Sequence, residues 1–237
     1  MPTLNGIEYG IQSLEDVAAG TKAMTIPEGA TSAIIGIVGT GDPTGVLTIG
    51  GVSVPSRIAE EHYGRLGCIY SLYSGLEART DDNMTMSGFS GTLQIFACFL
   101  CADGSGAHGG NTEYTGWADW QTVSTTIGDA HAGAVYQVGG VLAIGEASLG
   151  HYTTLFGPSP GTGASSSGAE FVHVGQGGAY DTGGALGVFV QGPGEDDINM
   201  GFAYGSSTAT RFWVATAGWV GGPASSGRRK VPSILVL

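Results

Sequence analysis

Glycine constrains this chain more than any other residue. It fills 44 of 237 positions, scattered through short β-prone runs and never in a Gly-X-Y repeat. The missing period excludes a collagen triple helix. A disordered low-complexity polymer is excluded too, because 42% of the residues are hydrophobic and β-branched and aromatic side chains fill the runs between glycines. Glycine takes positive φ without steric cost, so it suits the corners and bulges of a chain that turns often. The expected fold class is all-β: an antiparallel, jelly-roll-like β-sandwich with long Gly-rich loops.

The turns are explicit at Pro27-Glu28-Gly29, Gly39–Gly45, Gly50-Gly51 and Asp81-Asp82-Asn83. Gly39–Gly45 mimics a phosphate-cradling loop but lacks the Lys-Ser/Thr of a P-loop, so it reads as a hairpin tip. Strands are expected at Thr21–Ile26, Ser32–Val38, Val46–Val54, Leu66–Leu76, Met84–Phe89 and Thr92–Leu100. A Gly/Ser/His loop follows over 102–116. Further strands are expected at Trp120–Ile127, Ala134–Leu149, Tyr152–Phe156, Glu170–Val174, Ala185–Gln191, Ile198–Tyr204 and Thr210–Val220. Residues 13–20 read as one helical turn, with Ser13 as N-cap and Gly20 closing it. The chain thus divides into an N-terminal arm (1–20), a single β-sandwich domain (21–220) and a C-terminal hinge and docking arm (221–237).

The formal charge is −12, and Arg228-Arg229-Lys230 supplies three of only eight basic residues, so the rest is more acidic still. Such a surface repels phosphate, which argues against nucleic acid and anionic membrane as partners. Three cysteines, an odd number without regular spacing, do not make a disulfide framework. The opening MPTLNGIEYG has neither a basic n-region nor an apolar h-region, which predicts synthesis in a host cytoplasm without a signal peptide.

Motifs that carry chemistry are sparse. No G-x-S-x-G elbow occurs. Asp181-Thr182-Gly183 has the aspartic-protease triplet, but no second copy faces it, so it reads as a turn. Cys98-Phe99-Leu100-Cys101 has C-x-x-C spacing. On a strand, residues three apart point to opposite faces and cannot chelate one ion. Asp81-Asp82-Asn83 and Glu195-Asp196-Asp197 offer oxygen ligands without the loop pattern of a calcium site. No catalytic residue, metal ligand or cofactor is assigned.

Two strands are apolar on both faces. In Thr92–Leu100, Leu93, Ile95, Ala97 and Phe99 point one way, and Phe96, Cys98 and Leu100 the other. Either a covering loop lies over this strand or a subunit interface does. In Thr210–Val220, Trp213 and Trp219 share a face that is either a buried seam or a stacking surface for sugar. The tail Val231-Pro232-Ser233-Ile234-Leu235-Val236-Leu237 is apolar and β-prone, and is expected to pair with a sheet edge.

The strings TIPEGATSAIIGIVGTG, GVLTIGGVSV, GCIYSLYSGL and MTMSGFSGTLQIFACFLCAD, with the later GAVYQVGGVLAIGEASLG, resemble a β-sandwich of bacteriophage virion structural proteins and some secreted adhesive proteins. The resemblance covers about two-thirds of the chain. The long glycine loops and the terminal PSILVL depart from it. It implies a non-enzymatic virion component: a capsid decoration, a spike, or a tail or fibre protein. It also implies a homo-oligomer with a trimer favoured, and contact with other virion proteins such as the major capsid protein. Assembly residues are then expected at Arg228, Arg229, Lys230, Ile234, Leu235, Val236, Leu237, Phe96 and Leu100. Two alternatives stand beside it. One is a carbohydrate-binding module, or a virion protein touching a host glycan, that stacks Trp117, Trp120, Trp213 or Trp219 on sugar. The other is a glycosidase using paired carboxylates.

Overall fold

Alternation of large apolar residues with Gly, Ser and Thr gives strand after strand in the computed structural model. It describes residues 1–40, 45–54, 56–62, 65–76, 82–115, 118–126, 136–146, 154–158, 169–179, 182–191, 197–204 and 211–221. In chain order the strands are β1 (Thr3–Leu4), β2 (Ile7–Ala18), β3 (Gly20–Ala23), β4 (Ser32–Thr40), β5 (Val46–Ile49), β6 (Val52–Ser53), β7 (Ser56–His62), β8 (Arg65–Leu72) and β9 (Asp82–Ser87). Then come β10 (Thr92–Leu100), β11 (Ser105–Thr115), β12 (Ala118–Thr126), β13 (Tyr136–Glu146), β14 (Thr154–Pro158), β15 (Ala169–Ala179), β16 (Thr182–Gln191), β17 (Asp197–Tyr204) and β18 (Arg211–Gly221). The chain is all-β, and none of the described residues is helical.

The strands form four sheets: β1-β2-β10-β4-β8-β7, β11-β18-β13-β16-β15, β12-β17-β14 and β3-β9-β5-β6. Every pairing is antiparallel. The six-stranded sheet is the middle layer. On one side Phe96, Cys98, Leu100, Ile34, Val38 and Ile69 share a core with Val138, Leu142, Ile144, Leu186, Val188 and Trp219 of the five-stranded sheet. On the other side Leu93, Ile95, Ala97, Phe99, Ile35, Ile37 and Tyr70 share a second core with Leu47, Ile49, Met84 and Met86 of the four-stranded sheet. The five-stranded sheet is itself buried on its far face at Val141, Ala185 and Phe189. There β17 approaches β13, and β14 approaches β15 and β16.

The middle and five-stranded sheets are stacked in matching order: β2 and β10 lie near β15, β4 near β16, β8 near β13 and β18, and β7 near β18 and β11. Glycines set the fit. A Cβ at Gly140 would lie 2.5 Å from Ile34 Cγ2 and 3.2 Å from Ile69 Cδ1, and one at Gly36 would lie 2.8 Å from Leu142 Cδ1. Each sheet therefore offers hydrogen-sized gaps that receive branched side chains of the other. Packing at this density tolerates few added atoms.

The residues expected as a helical turn within an N-terminal arm are strand instead. β2 pairs with β10 from Tyr9↔Leu100 to Ala18↔Thr92. The register jumps between Leu14↔Ile95 and Val17↔Leu93, so Glu15 and Asp16 bulge against Gln94. The bulge turns Leu14 and Val17, three apart, toward the same core, against which both pack. An i, i+3 apolar pair that looks helical is here the mark of a bulge, and one isolated helical turn could not compete with a nine-residue partner strand.

Residues 105–115, expected as loop, form β11, which pairs with β18. β4 belongs to the middle layer and β5 to the four-stranded sheet, and residues 41–44, expected at a hairpin tip, lie outside the described residues. The Tyr70 hydroxyl donates to the Gly45 carbonyl, just before β5, at 3.2 Å. Two hairpins use two-residue turns with both residues at positive φ: Gly50-Gly51 (57° and 79°) between β5 and β6, and Asn5-Gly6 (46° and 79°) between β1 and β2. At Pro27–Ala30, Gly29 has φ 84° and the Ala30 N–H donates to the Pro27 carbonyl at 3.1 Å, a type II turn.

Candidate interaction surfaces

The middle sheet separates the two thiols of the Cys98–Cys101 string. Cys98 is fully buried in the first core and Cys101 packs against the second, so the two thiols stand on opposite sides of one sheet. Burial pushes the Cys98 thiol far above its usual range. Partial burial, with the Glu8 carboxylate adding to it, raises Cys101 as well. Both thiols are protonated and weakly nucleophilic at neutral pH. Among the described residues no group of three or more His, Cys, Asp and Glu is placed to hold a metal ion. Asp82-Asn83 open β9 and Asp197 opens β17. Asp81, Asp181, Glu195 and Asp196 lie outside the described residues.

Phe96 and Leu100, expected at a subunit interface, are 1% and 0% exposed. The chain's own five-stranded sheet covers them, neither a loop nor a second subunit. That expectation is corrected: a strand apolar on both faces is here the centre of a three-layer stack. Trp219, expected to stack on sugar, is 0% exposed within the first core and presents no face to solvent. Of the other tryptophans, Trp120 lies on β12 and Trp213 on β18, paired with Ile144 and Glu113, while Trp117 is outside the described residues. So are Arg228, Arg229, Lys230, Ile234, Leu235, Val236 and Leu237.

Among the described residues two surfaces stand open to a partner. The outer strands β2 and β15 run close together along one side of the stack. Ile11 of β2 is 49% exposed there, on the rung of buried Cys98. Exposed Glu8, Asp103 and Glu170 lie at one end of this side. Hydrogen bonds place them: the Cys101 N–H donates to the Glu8 carbonyl at 2.9 Å, and the Tyr136 hydroxyl donates to the Asp103 carbonyl. The β1–β2 hairpin is tied to the same end. The Asn5 N–H donates to Glu170 Oε2 at 2.5 Å and Asn5 Nδ2 donates to the Val190 carbonyl at 2.7 Å. Gly221, the last described residue, pairs with Tyr136 at this end too.

The second surface is the outer face of the four-stranded sheet. Thr21, Thr85, Thr48 and Ser53 are in register across all four strands, and Thr21 and Thr85 stand 3.3 Å apart at their hydroxyls. This rank needed no search for motifs: apolar–hydroxyl alternation in Val46–Ile49 and Met84–Ser87 marks a sheet with one wet face. The Asn5-Gly6 hairpin was equally readable from its dipeptide. No protein-family model, no curated protein and no solved structure matches the chain.

Proposed function

We propose that the chain is a non-enzymatic structural component of a phage or phage-like virion, decorating the capsid or forming part of a spike, tail or fibre. The observation that carries this reading is the layered stack. The chain covers both faces of its own central sheet, buries the Cys68 and Cys98 thiols, and spends its glycines on close inter-sheet fit. That construction suits a rigid building block better than a cleft built for turnover.

The protein assembles as a homo-oligomer, with a trimer favoured, and contacts other virion proteins such as the major capsid protein. With Phe96 and Leu100 internal, assembly passes to the C-terminal arm. Arg228, Arg229 and Lys230 complement the acidic end marked by Glu8, Asp103 and Glu170, and Ile234, Leu235, Val236 and Leu237 lie along a sheet edge, where main-chain hydrogen bonds give affinity. Mass spectrometry of purified particles, with imaging of the labelled protein, tests the reading. Stoichiometric presence at a repeated position is the expected result. Absence from particles released by cells that express the protein overturns it.

A further inference from the structure

Two polar groups are sealed in the first core. Ser71 and Trp219 are each 0% exposed, and neither Ser71 Oγ nor Trp219 Nε1 has a hydrogen-bond partner. On β8, Cys68, Tyr70 and Leu72 face the second core and Ile69 the first, so Ser71 faces the first core as well. Trp219 belongs to that same core, on β18, which lies against β8.

The registers bring the two groups to one place. Ser71 shares a rung with Ile34. Ile34 and Ile69 fit against Gly140 of the facing sheet. Gly140 shares its rung with Ala217, and Ala217 with Gly109. Across β13, β18 and β11 the rung facing Ser71 therefore carries a single methyl between two glycines, with Val188 of β16 beyond Gly140, and Trp219 stands one rung along on the same face. Ile34 and Ile69 fill the gap at Gly140, and a hydroxyl and an indole N–H border the small residues beside it.

We propose that one enclosed water molecule bridges Ser71 Oγ and Trp219 Nε1 between β8 and β18. A serine hydroxyl both donates and accepts, and an indole N–H only donates, so a water accepting from Trp219 and bonded to Ser71 satisfies both. Buried waters occupy such polar pockets in otherwise apolar interiors. Left dry, both groups forfeit the hydrogen bonds they make with solvent in the unfolded chain.

A high-resolution crystal structure of the full chain tests this directly. The expected result is an isolated density peak at about 2.7–3.2 Å from both atoms, lost in Ser71→Val, whose branched side chain fills the space. No peak, or a peak bonded to only one of the two, overturns the proposal. Thermal unfolding supplies an independent arm. Trp219→Phe lowers Tm in the parent, and lowers it by several degrees less in the Ser71→Val background, where the indole N–H is already dry. Equal decreases in the two backgrounds overturn the proposal as well.

Discussion

Replacing Gly140 by alanine tests the stacking of the two largest sheets. Gly140 sits within β13 and is not among the positive-φ glycines, so the backbone accepts alanine there. On conformational entropy alone the change would stabilise by roughly 0.4–1 kcal/mol, through a stiffer unfolded chain. The tertiary structure reverses the sign. The new methyl would lie 2.5 Å from Ile34 Cγ2, an atom fixed to a β-branched carbon that moves only by leaving its χ1 well. Ile69 Cδ1, at 3.2 Å, closes a second direction. Overpacking of this kind costs about 1–3 kcal/mol. The net expectation is a loss of about 1–2 kcal/mol, read in urea as a lower midpoint at unchanged slope. Ile34→Ala alone, at a site with 0% exposure, costs about 2–5 kcal/mol through its cavity. Combined, the two changes cost less than their sum by at least about 1 kcal/mol, because the alanine methyl enters the vacated volume. A neutral or stabilising Gly140→Ala, or a strictly additive pair, would refute the facing of β13 against β4 and β8.

Other consequences follow from the same contacts. Asn5→Gly keeps the positive-φ turn and loses the side-chain bond to the Val190 carbonyl, about 0.5–1.5 kcal/mol, whereas Asn5→Ala adds roughly 1–2 kcal/mol for a Cβ held in the left-handed region; chemical denaturation that ranks alanine as the milder change contradicts this. Partial burial holds the His173 imidazole below its usual value, against a hydrogen bond involving the Gly175 backbone. The folded state then binds that proton less readily than the unfolded chain, so this contribution to stability is complete above about pH 6.5 and is lost as pH falls through the depressed value; an NMR titration placing His173 at or above the ordinary value refutes it. The Cys98 thiol has a raised value, so its contribution is complete below about pH 8.5 and is lost as pH rises toward the folded value. A thiol reagent at neutral pH should modify Cys101 slowly and Cys98 only as fast as the protein unfolds; rapid labelling of Cys98 counts against the layered core. Deleting residues 228–237 should leave the far-ultraviolet circular dichroism unchanged while weakening oligomer or particle association in sedimentation, and unchanged association with unchanged salt dependence refutes the docking arm.

The sequence alone determined an all-β chain, and local rules explain why. Glycine pairs and Pro27–Gly29 carry their turn geometry within a few residues. Period-two apolarity in Thr92–Leu100 states that both faces of one strand are covered. What covers them is a property of partners far along the chain, and only the tertiary structure decided it. β10 lies beside β2 and β4 in the middle layer, and its two faces belong to two cores. Phe96, Leu100 and Trp219 could not be told from interface residues by hydrophobicity, because burial against another layer and burial against another subunit demand the same side chains. Leu14 and Val17 show the same limit at short range. Their three-residue spacing is common to a helix and a bulged strand, and the choice fell to β10, whose backbone ladder and apolar rungs exist only once residues 92–100 have folded back on residues 9–18.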